Sequence, residues 1–345
     1  MTIDLLLVGF GHVARRFVRL LAELRPALDQ LDLAPRVVGI ATARHGHAYD
    51  ARGLDANAAA RLREGGGSLP AGPGAPLDLI ARLASGRADP RVLVETTPLD
   101  VRAGEPAVSH VRAALERGVH VVTANKGPVA CAYRELADRA DAAGVRFLFE
   151  GAVMDGIPIF NLVREALPAC EIRGFRGVVN STTNYILTAL ELGEEFDGAL
   201  ARMQAAGVAE ADASLDLDGW DAAAKTAAMA NVWLDARTTP AAVAREGIGL
   251  ASGQRARAAR ADGRRLKLVA SGRREGARVE TAVRLEALPL DDPLANLDGQ
   301  ANALELDTWP AGRIVVTQRD GGLEKTAYAL VGDLVTLARG IGDRS

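Results

Sequence analysis

The architecture of the first half of the chain is decided by its opening residues, Ile3-Asp4-Leu5-Leu6-Leu7-Val8-Gly9-Phe10-Gly11-His12-Val13-Ala14. The apolar run Ile3–Val8 predicts a short buried strand, and apolar residues at helical spacing predict a helix over Val13–Leu24. Between them lies the pattern G-x-G-x-x-A, in which the first glycine permits a tight turn and the second lets a phosphate approach the backbone. The strand before this pattern and the helix after it favour a dinucleotide-binding turn over an ordinary tight turn, which glycines also mark. The residues predicted to bind the cofactor here are Gly9, Phe10, Gly11, His12 and Val13.

Strand and helix patterns alternate from this turn to about residue 150. Short apolar strands are predicted at Val37–Ala41, Val92–Val94, Val119–Val122 and Val145–Phe149, and helices at Pro106–Arg117 and Ala132–Ala143. Apolar strands separated by helices are typical of a parallel sheet that is covered on both faces. Residues 1–150 are therefore predicted to form an α/β domain with a doubly wound, Rossmann-type parallel sheet. A segment rich in glycine, proline and alanine, Gly53–Pro76, is predicted to be a loop.

After Glu150 the pattern changes to helices followed by strands, which predicts an α+β domain over residues 151–319. The predicted helices are Pro158–Leu167, Thr182–Leu192, Asp197–Ala206 and Trp220–Leu234, and the predicted strands are Ile172–Val179, Leu266–Val269, Val279–Leu285, Ala303–Leu306 and Ile314–Val316. A last helix at Lys325–Arg339 is expected to rejoin the first domain, over about residues 320–345.

The composition excludes several classes of partner. The 345 residues carry a formal net charge of -3, which provides no basic field for nucleic acid or an anionic membrane. No apolar run is long enough to span a membrane, and the N-terminus lacks the regions of a signal peptide. Two cysteines, Cys131 and Cys170, predict neither a disulfide framework nor a metal site. We expect a cytoplasmic protein that acts on a small molecule.

The end of the second predicted strand bears on which nicotinamide cofactor binds. A carboxylate there would bind the ribose 2′-hydroxyl of NAD, but this chain has Ala41-Thr42-Ala43-Arg44. Arg44 could pair with the 2′-phosphate of NADP, which favours NADP slightly, or it could be an exposed arginine without a ligand. No chemical role is assigned to the imidazoles of His12 and His45.

Two later strands end in polar residues at the edge where open α/β sheets bind ligands. Thr96 and Thr97 follow the first of them and are predicted to contact the cofactor. Lys126 follows the second, and it could hold a negative group of the cofactor or substrate, move a proton, or be a surface lysine.

Three segments resemble the homoserine dehydrogenase family. Thr123-Ala124-Asn125-Lys126 resembles its T-x-N-K segment, and GVVNSTTNYIL at 177–187 resembles its G-x-x-N-G-T-T-N-Y-I-L signature. The stretch VAEADASLDLDGWDAAAK at 208–225 is similar to its A-E-x-D-P-x-x-D-x-x-G-x-D-x-x-x-K motif. Weaker matches follow in order at Glu246-Gly247-Ile248, Leu266-Lys267-Leu268 and Asp292-Pro293-Leu294-Ala295.

The resemblance implies reversible, NAD(P)-dependent interconversion of L-homoserine and L-aspartate 4-semialdehyde, a step toward threonine and methionine. It implies that Lys225 is the catalytic lysine, that Asp221 orients it and that Lys126 assists. Glu210 would grip the amino group of the substrate, and Asp216 belongs to the same acidic motif. The domain over residues 151–319 would then carry both catalysis and assembly into a homodimer or homotetramer.

Two further sites are implied by the resemblance alone. A sodium or similar monovalent cation would be held by backbone carbonyls at Glu150, Val153, Asp155 and Ile157. A glycine-rich run near the C-terminus would touch the cofactor, and Gly322 is its retained glycine.

The residues themselves support an amino-acid substrate. Asp221 and Lys225 are four apart and share one helix face, which on a surface would be a trivial ion pair. The acidic segment before them could bind a substrate ammonium group, and its spacing does not fit a calcium-binding EF-hand. Asn180 and Thr183 follow a strand and begin a helix, where they could bind a substrate carboxylate or equally serve as helix caps.

Several departures from the family pattern leave rivals open. Ser181 replaces a usual glycine, Val208 a usual tyrosine, and Met154-Asp155 a usual Gly-Ala. A same-fold dehydrogenase for another amino-acid semialdehyde or hydroxy acid is one rival, and a non-catalytic NAD(P)-binding sensor is another. The chain ends at Ser345, so threonine feedback through an appended regulatory ACT domain is not expected.

Overall fold

A computed structural model describes residues 1–70, 76–205 and 212–342. The chain divides into two compact units, Met1–Pro158 with Leu323–Ser345, and Ile159–Gly322. The sequence placed the end of the first domain near residue 150, whereas the turn-rich residues up to Pro158 belong to the first unit. No described helix is both long and apolar enough to cross a membrane.

The strands of the described residues form two six-stranded sheets. The first unit holds β1 (Thr2–Val8), β2 (Ala34–Ala41), β3 (His47–Tyr49), β4 (Arg91–Glu95), β5 (His120–Thr123) and β6 (Phe147–Leu148). The second unit holds β7 (Glu171–Val178), β8 (Ala244–Arg245), β9 (Arg264–Glu275), β10 (Arg278–Pro289), β11 (Asn302–Trp309) and β12 (Gly312–Gln318).

The α-helices are α1 (His12–Glu23), α2 (Arg25–Gln30), α3 (Ala56–Glu64), α4 (Pro76–Ala84), α5 (Ala107–Leu115), α6 (Lys126–Ala143), α7 (Ile159–Asn161), α8 (Ser181–Glu191), α9 (Phe196–Ala205), α10 (Ser214–Leu217), α11 (Trp220–Leu234), α12 (Ser252–Ala261) and α13 (Leu323–Gly342). Helix α13 belongs to the first unit, as the sequence led us to expect. Its apolar face packs against α1 in one core, where Phe17 of α1 and Leu330 of α13 are fully buried. Burial of such side chains contributes about 1.5–3 kcal/mol each.

The first sheet is a doubly wound sheet, which confirms the predicted fold class. Its strand order is β3-β2-β1-β4-β5-β6, and its pairs are parallel except for the antiparallel pair of β2 and β3. The chain turns to one side of β1 through β2 and to the other side through β4. Ligands of open α/β sheets bind where the strand order reverses in this way, at the carboxyl ends of the strands.

Three local predictions for the residues up to Leu167 were wrong. The segment predicted as a loop at Gly53–Pro76 contains α3, which forms because alanines favour a helix and the Asp55 carboxylate accepts the Ala58 amide at 2.8 Å. The strand predicted at Val145–Phe149 shortens to β6. The single helix predicted from Pro158 to Leu167 is instead α7 followed by a π-helical turn at Leu162–Ala166.

The second sheet has the order β12-β11-β7-β9-β10-β8 and is antiparallel except between β10 and β8. Strands β9 and β10 form a hairpin longer than predicted, because its far end carries polar, exposed residues that an apolar pattern does not reveal. Helices α8, α11 and α12 pack on this sheet. Buried alanines such as Ala223 and Ala227 let α11 lie close to the strands.

Candidate active site

The dinucleotide-binding turn occupies the carboxyl end of β1. Gly9 has φ +88°, and a Cβ there would lie 2.6 Å from the carbonyl carbon of Thr96, so only glycine fits. Gly11 precedes α1 without a side-chain cap, and a Cβ built on it would meet no atom within 4 Å. The first turn of α1 carries no acidic residue. Its amide groups and positive dipole end are therefore suited to an anion such as a pyrophosphate.

The other predicted residues of this turn differ in exposure. Phe10 is buried, and its carbonyl accepts a hydrogen bond from Arg15 at 3.0 Å. His12 is exposed, with its Nδ1 3.3 Å from Nη2 of Arg15, and Val13 is half-buried against the core. Phe10 and Val13 thus support the turn, whereas the backbone of the turn faces the open space at Gly11.

The turn after β2 presents Arg44. The buried Thr42 hydroxyl donates to the carbonyl of Gly46 at 2.9 Å and accepts the amide of His45 at 2.8 Å. This closed turn leaves Arg44 exposed near its tip. No carboxylate stands in the residues that directly follow β2, so the local charge is positive, as a 2′-phosphate would require.

The predicted residues after β4 and β5 are tied into the sheet edge. The Thr96 amide donates to the Val8 carbonyl at 2.8 Å, and its hydroxyl donates to the Gly9 carbonyl at 3.0 Å. The Thr97 hydroxyl donates to the carboxylate of Glu95. Both threonine hydroxyls therefore have acceptors within the protein, and a cofactor would meet the backbone of this loop.

Lys126 is the first residue of α6. The side chain of Asn125 caps this helix by accepting the Gly127 amide at 2.8 Å. A cation at a helix N-terminus opposes the helix dipole by about 0.3–1 kcal/mol. An anionic ligand beside Lys126 would offset this cost.

The segment implied to hold a cation has an unusual backbone. It consists of two 3₁₀ turns, Glu150–Ala152 and Met154–Gly156, and the amide of Glu150 donates to buried Asp333 at 2.9 Å. Met154 and Asp155 have φ values of +56° and +47°, which cost a non-glycine residue about 1–2 kcal/mol each. The described residues hold no group of three or more His, Cys, Asp or Glu that could bind a metal. A cation here would therefore depend on carbonyl oxygens, which suit hard cations.

An acid–base pair lies at the start of α11 in the second unit. Gly219 precedes this helix with φ +77°, and Asp221 lies in its first turn. The Lys225 ammonium, on a residue only 9% exposed, lies 2.9 Å from the Asp221 carboxylate and donates to the Val179 carbonyl at 2.5 Å. Lys225 is thus buried and held at two points, with the half-buried Asp221 beside it, unlike an ordinary surface ion pair.

Asn180 links this pair to a third segment. Its Nδ2 donates to Asp216 at 2.7 Å and to Asp221 at 2.9 Å. Its Oδ1 accepts the Thr183 amide at 2.9 Å and so caps α8. Thr183 is also buried, and its hydroxyl donates to the Asn180 carbonyl at 3.1 Å. Asn180 is thus the cap of α8, one of the two alternatives, and Thr183 lies in the first turn of that helix. Contact between either residue and a substrate stays a prediction.

The cluster controls the protonation of Asp216. Burial and the negative charge of Asp221 raise the pKa of Asp216 above its ordinary value, while Asn180, Lys225 and Thr182 oppose this shift. Two carboxylates beside one ammonium group can attract a cationic substrate and exchange a proton with its hydroxyl or carbonyl oxygen.

Sequence reasoning missed the support beneath this cluster. The Ile248 amide donates to the Leu217 carbonyl at 2.7 Å, and a Cβ on Gly247 would lie 2.4 Å from that same oxygen. The guanidinium of Arg245 lies 3.4 Å from the centre of the Trp220 ring. The weak family match at 246–248 was the signal for this close approach.

The remaining predicted residues have simple outcomes. Glu210 and Val208 lie outside the described residues. Gly322 has φ +125° and ends the second unit directly before α13. The Ser181 hydroxyl, which stands where relatives have glycine, accepts a hydrogen bond from Asn302 at 2.9 Å.

Family comparisons match both units. The family described as "Homoserine dehydrogenase" matches residues 158–335, and "Homoserine dehydrogenase, NAD binding domain" matches residues 9–150. A NAD(+)-dependent homoserine dehydrogenase of Pseudomonas canavaninivorans is 36% identical over 333 residues, which are 96% of this chain and 95% of that protein. A homoserine dehydrogenase of Methanocaldococcus jannaschii is 34% identical, over 96% of this chain and 97% of that protein.

Two solved structures of homoserine dehydrogenases are similar in fold to this chain. The homoserine dehydrogenase of Thermoplasma acidophilum has a TM-score of 0.83 at 26% identity, covering 98% of this chain and 100% of that chain. The enzyme of Thiobacillus denitrificans has a TM-score of 0.82 at 31% identity, covering 98% of this chain and 74% of that chain.

Proposed function

The chain belongs to the homoserine dehydrogenase family, and from this we propose that it catalyses reversible hydride transfer between C4 of L-homoserine and NAD(P), with L-aspartate 4-semialdehyde as the oxidised partner. The observation that carries the proposal is the buried Lys225, held 2.9 Å from the half-buried Asp221 and anchored on the Val179 carbonyl. A buried ammonium next to a carboxylate is the group that this reaction needs for proton exchange.

The chemistry divides between cofactor and protein. A nicotinamide cofactor, held by the glycine turn after β1, would supply hydride transfer to and from C4. In the direction of reduction, the charged Lys225 Nζ donates a proton to the aldehyde oxygen, and Asp221 stabilises the charged form of this lysine. In the direction of oxidation, the same nitrogen takes the hydroxyl proton. Asp221 also orients Nζ, because the Asp221 carboxylate is itself held by a hydrogen bond from Asn180.

Substrate binding is assigned to the acidic segment. We propose that Glu210 binds the substrate ammonium group and that Asp216 binds the substrate nearby, with Thr183 and Asn180 at the start of α8. The raised pKa of Asp216 supports this role, because burial and a neighbouring charge shift the pKa values of carboxyl groups at functional sites. Lys126, at the N-terminus of α6, is proposed to assist with an anionic group.

The finer assignments of the first unit are also proposals. Gly9, Phe10, Gly11, His12, Val13, Thr96, Thr97 and Gly322 would bind the cofactor. Arg44 would bind a 2′-phosphate, which favours NADP slightly, although the Pseudomonas relative is named for NAD(+). A monovalent cation would be held by the carbonyls of Glu150, Val153, Asp155 and Ile157.

Location and assembly are proposed from the sequence. Two cysteines, Cys131 and Cys170, predict no disulfide framework, and from this composition we propose a cytoplasmic location. A homodimer or homotetramer is proposed from the family resemblance.

The test is an assay of nicotinamide reduction by the purified chain with L-homoserine, run separately with NAD and NADP. We expect turnover with at least one cofactor. A matched series of other hydroxy amino acids and hydroxy acids tests the rival substrate, which the side chains of Met154 and Asp155 motivate. Turnover of such an alcohol without turnover of homoserine would replace the proposed substrate, and cofactor binding without any turnover would favour the sensor.

A further inference from the structure

Glu95 is a fully buried carboxylate at the carboxyl end of β4 that neither the family motifs nor the proposed mechanism uses. Its Oε1 accepts the Thr97 amide at 2.9 Å and also the Thr97 hydroxyl. Its Oε2 lies 3.1 Å from the hydroxyl of Thr123, the last residue of β5. One side chain therefore holds the ends of two neighbouring strands.

The hydrogen bonds continue into a closed ring. The Thr123 hydroxyl accepts the amide of Asn125 at 2.9 Å, and the Asn125 side chain donates to the Thr97 carbonyl at 2.9 Å. The same Asn125 side chain caps α6, the helix that begins with Lys126. The position of Lys126 thus depends on the ring that Glu95 closes.

The ring also supports the dinucleotide-binding turn. Thr96 lies between Glu95 and Thr97, and it bonds to the Val8 carbonyl and to the Gly9 carbonyl. The backbone of Gly9 approaches Thr96 so closely that no side chain fits. A shift of the loop after β4 would therefore displace Gly9, in the turn that is proposed to bind the cofactor phosphates.

A buried carboxylate at this position is unfavourable for folding. Burial of a charged group costs several kcal/mol of folding free energy unless its oxygens are hydrogen-bonded, and an apolar side chain would not carry this cost. The site also holds His110 of α5, which is 6% exposed. Its Nδ1 lies 4.0 Å from Glu95 Oε1 and has no hydrogen-bond partner among the described residues. Both buried polar groups face the loop ends of β4 and β5, whose predicted ligand is the cofactor.

We propose that Glu95 is a positioning residue for the nicotinamide cofactor, fixing the Thr96–Thr97 loop against Gly9 and the start of α6 with Lys126. This inference rests on the proposed use of NAD(P). Glu95 acts through its neighbours, because its own oxygens accept bonds from Thr97 and Thr123.

The test compares Glu95→Gln with Glu191→Gln in the full-length chain, and measures the Kd for NADH and NADPH by the fluorescence of the reduced nicotinamide. Glutamine keeps the shape of Glu95 but replaces one acceptor oxygen with a donor. Glu191 is a matched buried carboxylate in the second unit, paired with Arg265. We expect Glu95→Gln to raise the Kd of the preferred cofactor about tenfold. Glu191→Gln should leave that Kd unchanged even if it lowers the Tm equally.

A second pair of variants keeps the test decisive if Glu95→Gln does not fold. Thr123→Val removes the hydroxyl that faces Oε2, and Thr123→Ser retains it. We expect weaker cofactor binding in the valine variant and near wild-type binding in the serine variant. If both Glu95→Gln and Thr123→Val bind the cofactor with wild-type affinity, this inference is wrong, and the proposed function is unaffected. If the wild-type chain binds neither NADH nor NADPH, the proposed function falls, and this inference falls with it.

Discussion

The dinucleotide-binding turn and the acid–base cluster are built in opposite ways. The turn uses one continuous segment, Gly9 to Ala14, and presents backbone amides in front of a helix without a side-chain cap. The cluster uses side chains from three segments, which meet through Asn180 at 2.7 Å and 2.9 Å from two carboxylates. A backbone site depends on local conformation, whereas a side-chain site depends on how distant segments pack. The two should therefore fail differently under mutation.

The largest expected effect is on the cluster. Lys225→Ala should lower kcat at least about a hundredfold, because the group that exchanges the proton is lost. The Kd for reduced nicotinamide should not change, since the turn belongs to the other unit. Steady-state kinetics and cofactor titration measure the two quantities. Arg25→Ala, which breaks an exposed ion pair of the same spacing with Asp29, serves as the control and should leave kcat unchanged. Normal turnover by Lys225→Ala would remove the assignment.

The next effect separates two glycines of the turn. Gly11→Val should weaken cofactor binding about tenfold or more without lowering the Tm, because its side chain would enter open space in front of α1. Gly9→Ala should lower both the cofactor affinity and the Tm, since the φ of +88° and a contact of 2.6 Å cost at least about 1 kcal/mol. Thermal unfolding and cofactor titration together check this. Tight cofactor binding by Gly11→Val would mean that no phosphate sits at this helix end.

A smaller effect is expected at Arg44. Arg44→Ala should raise the Kd for NADPH up to about fivefold, the range of an exposed charge pair, and leave the Kd for NADH unchanged. Arg52→Ala, an exposed arginine that pairs with Asp50 instead, is the matched control. Equal losses for both cofactors would argue against a 2′-phosphate contact.

The smallest effect is a pH dependence within the cluster. Because the folded-state pKa of Asp216 is raised, the contribution of this residue to stability should fall as the pH rises from the ordinary value of 3.8 through the raised pKa. Asp216→Asn cannot ionise, so its Tm relative to wild type should increase with pH over that window. Asp212→Asn should show the opposite sign, and at pH values below 3.8, because hydrogen bonds from Ser214 lower the pKa of Asp212. Parallel Tm curves for Asp216→Asn and wild type would contradict the raised pKa.

Much of the fold was predictable because its signals are local. The strand β1, the turn and α1 follow from five apolar residues, two glycines and an amphipathic helix, and α11 was predicted with its observed bounds, Trp220–Leu234. Helix α3 was missed although Asp55 supplies a regular cap, since the surrounding glycines and prolines dominated the pattern. The far end of the β9–β10 hairpin was missed because a strand exposed to solvent needs no apolar alternation.

The candidate site was only partly predictable. The spacing of Asp221 and Lys225 predicted a shared helix face, and the structure adds that Lys225 is buried and bonded to Val179. Asn180 was predicted either to bind substrate or to cap a helix, and nothing in its own segment revealed that its amide also joins Asp216 to Asp221.

The sequence by itself determined the order of strands and helices, the glycine turn and the membership of the family, because backbone conformation and burial are encoded by neighbouring residues. The tertiary structure alone decided which polar groups meet. It placed Glu95 against Thr123, 28 residues away, and Lys225 against Val179, 46 residues away. Such contacts need parallel strands and packed helices to bring distant segments together, and a buried polar group must then find a partner that its local sequence does not name.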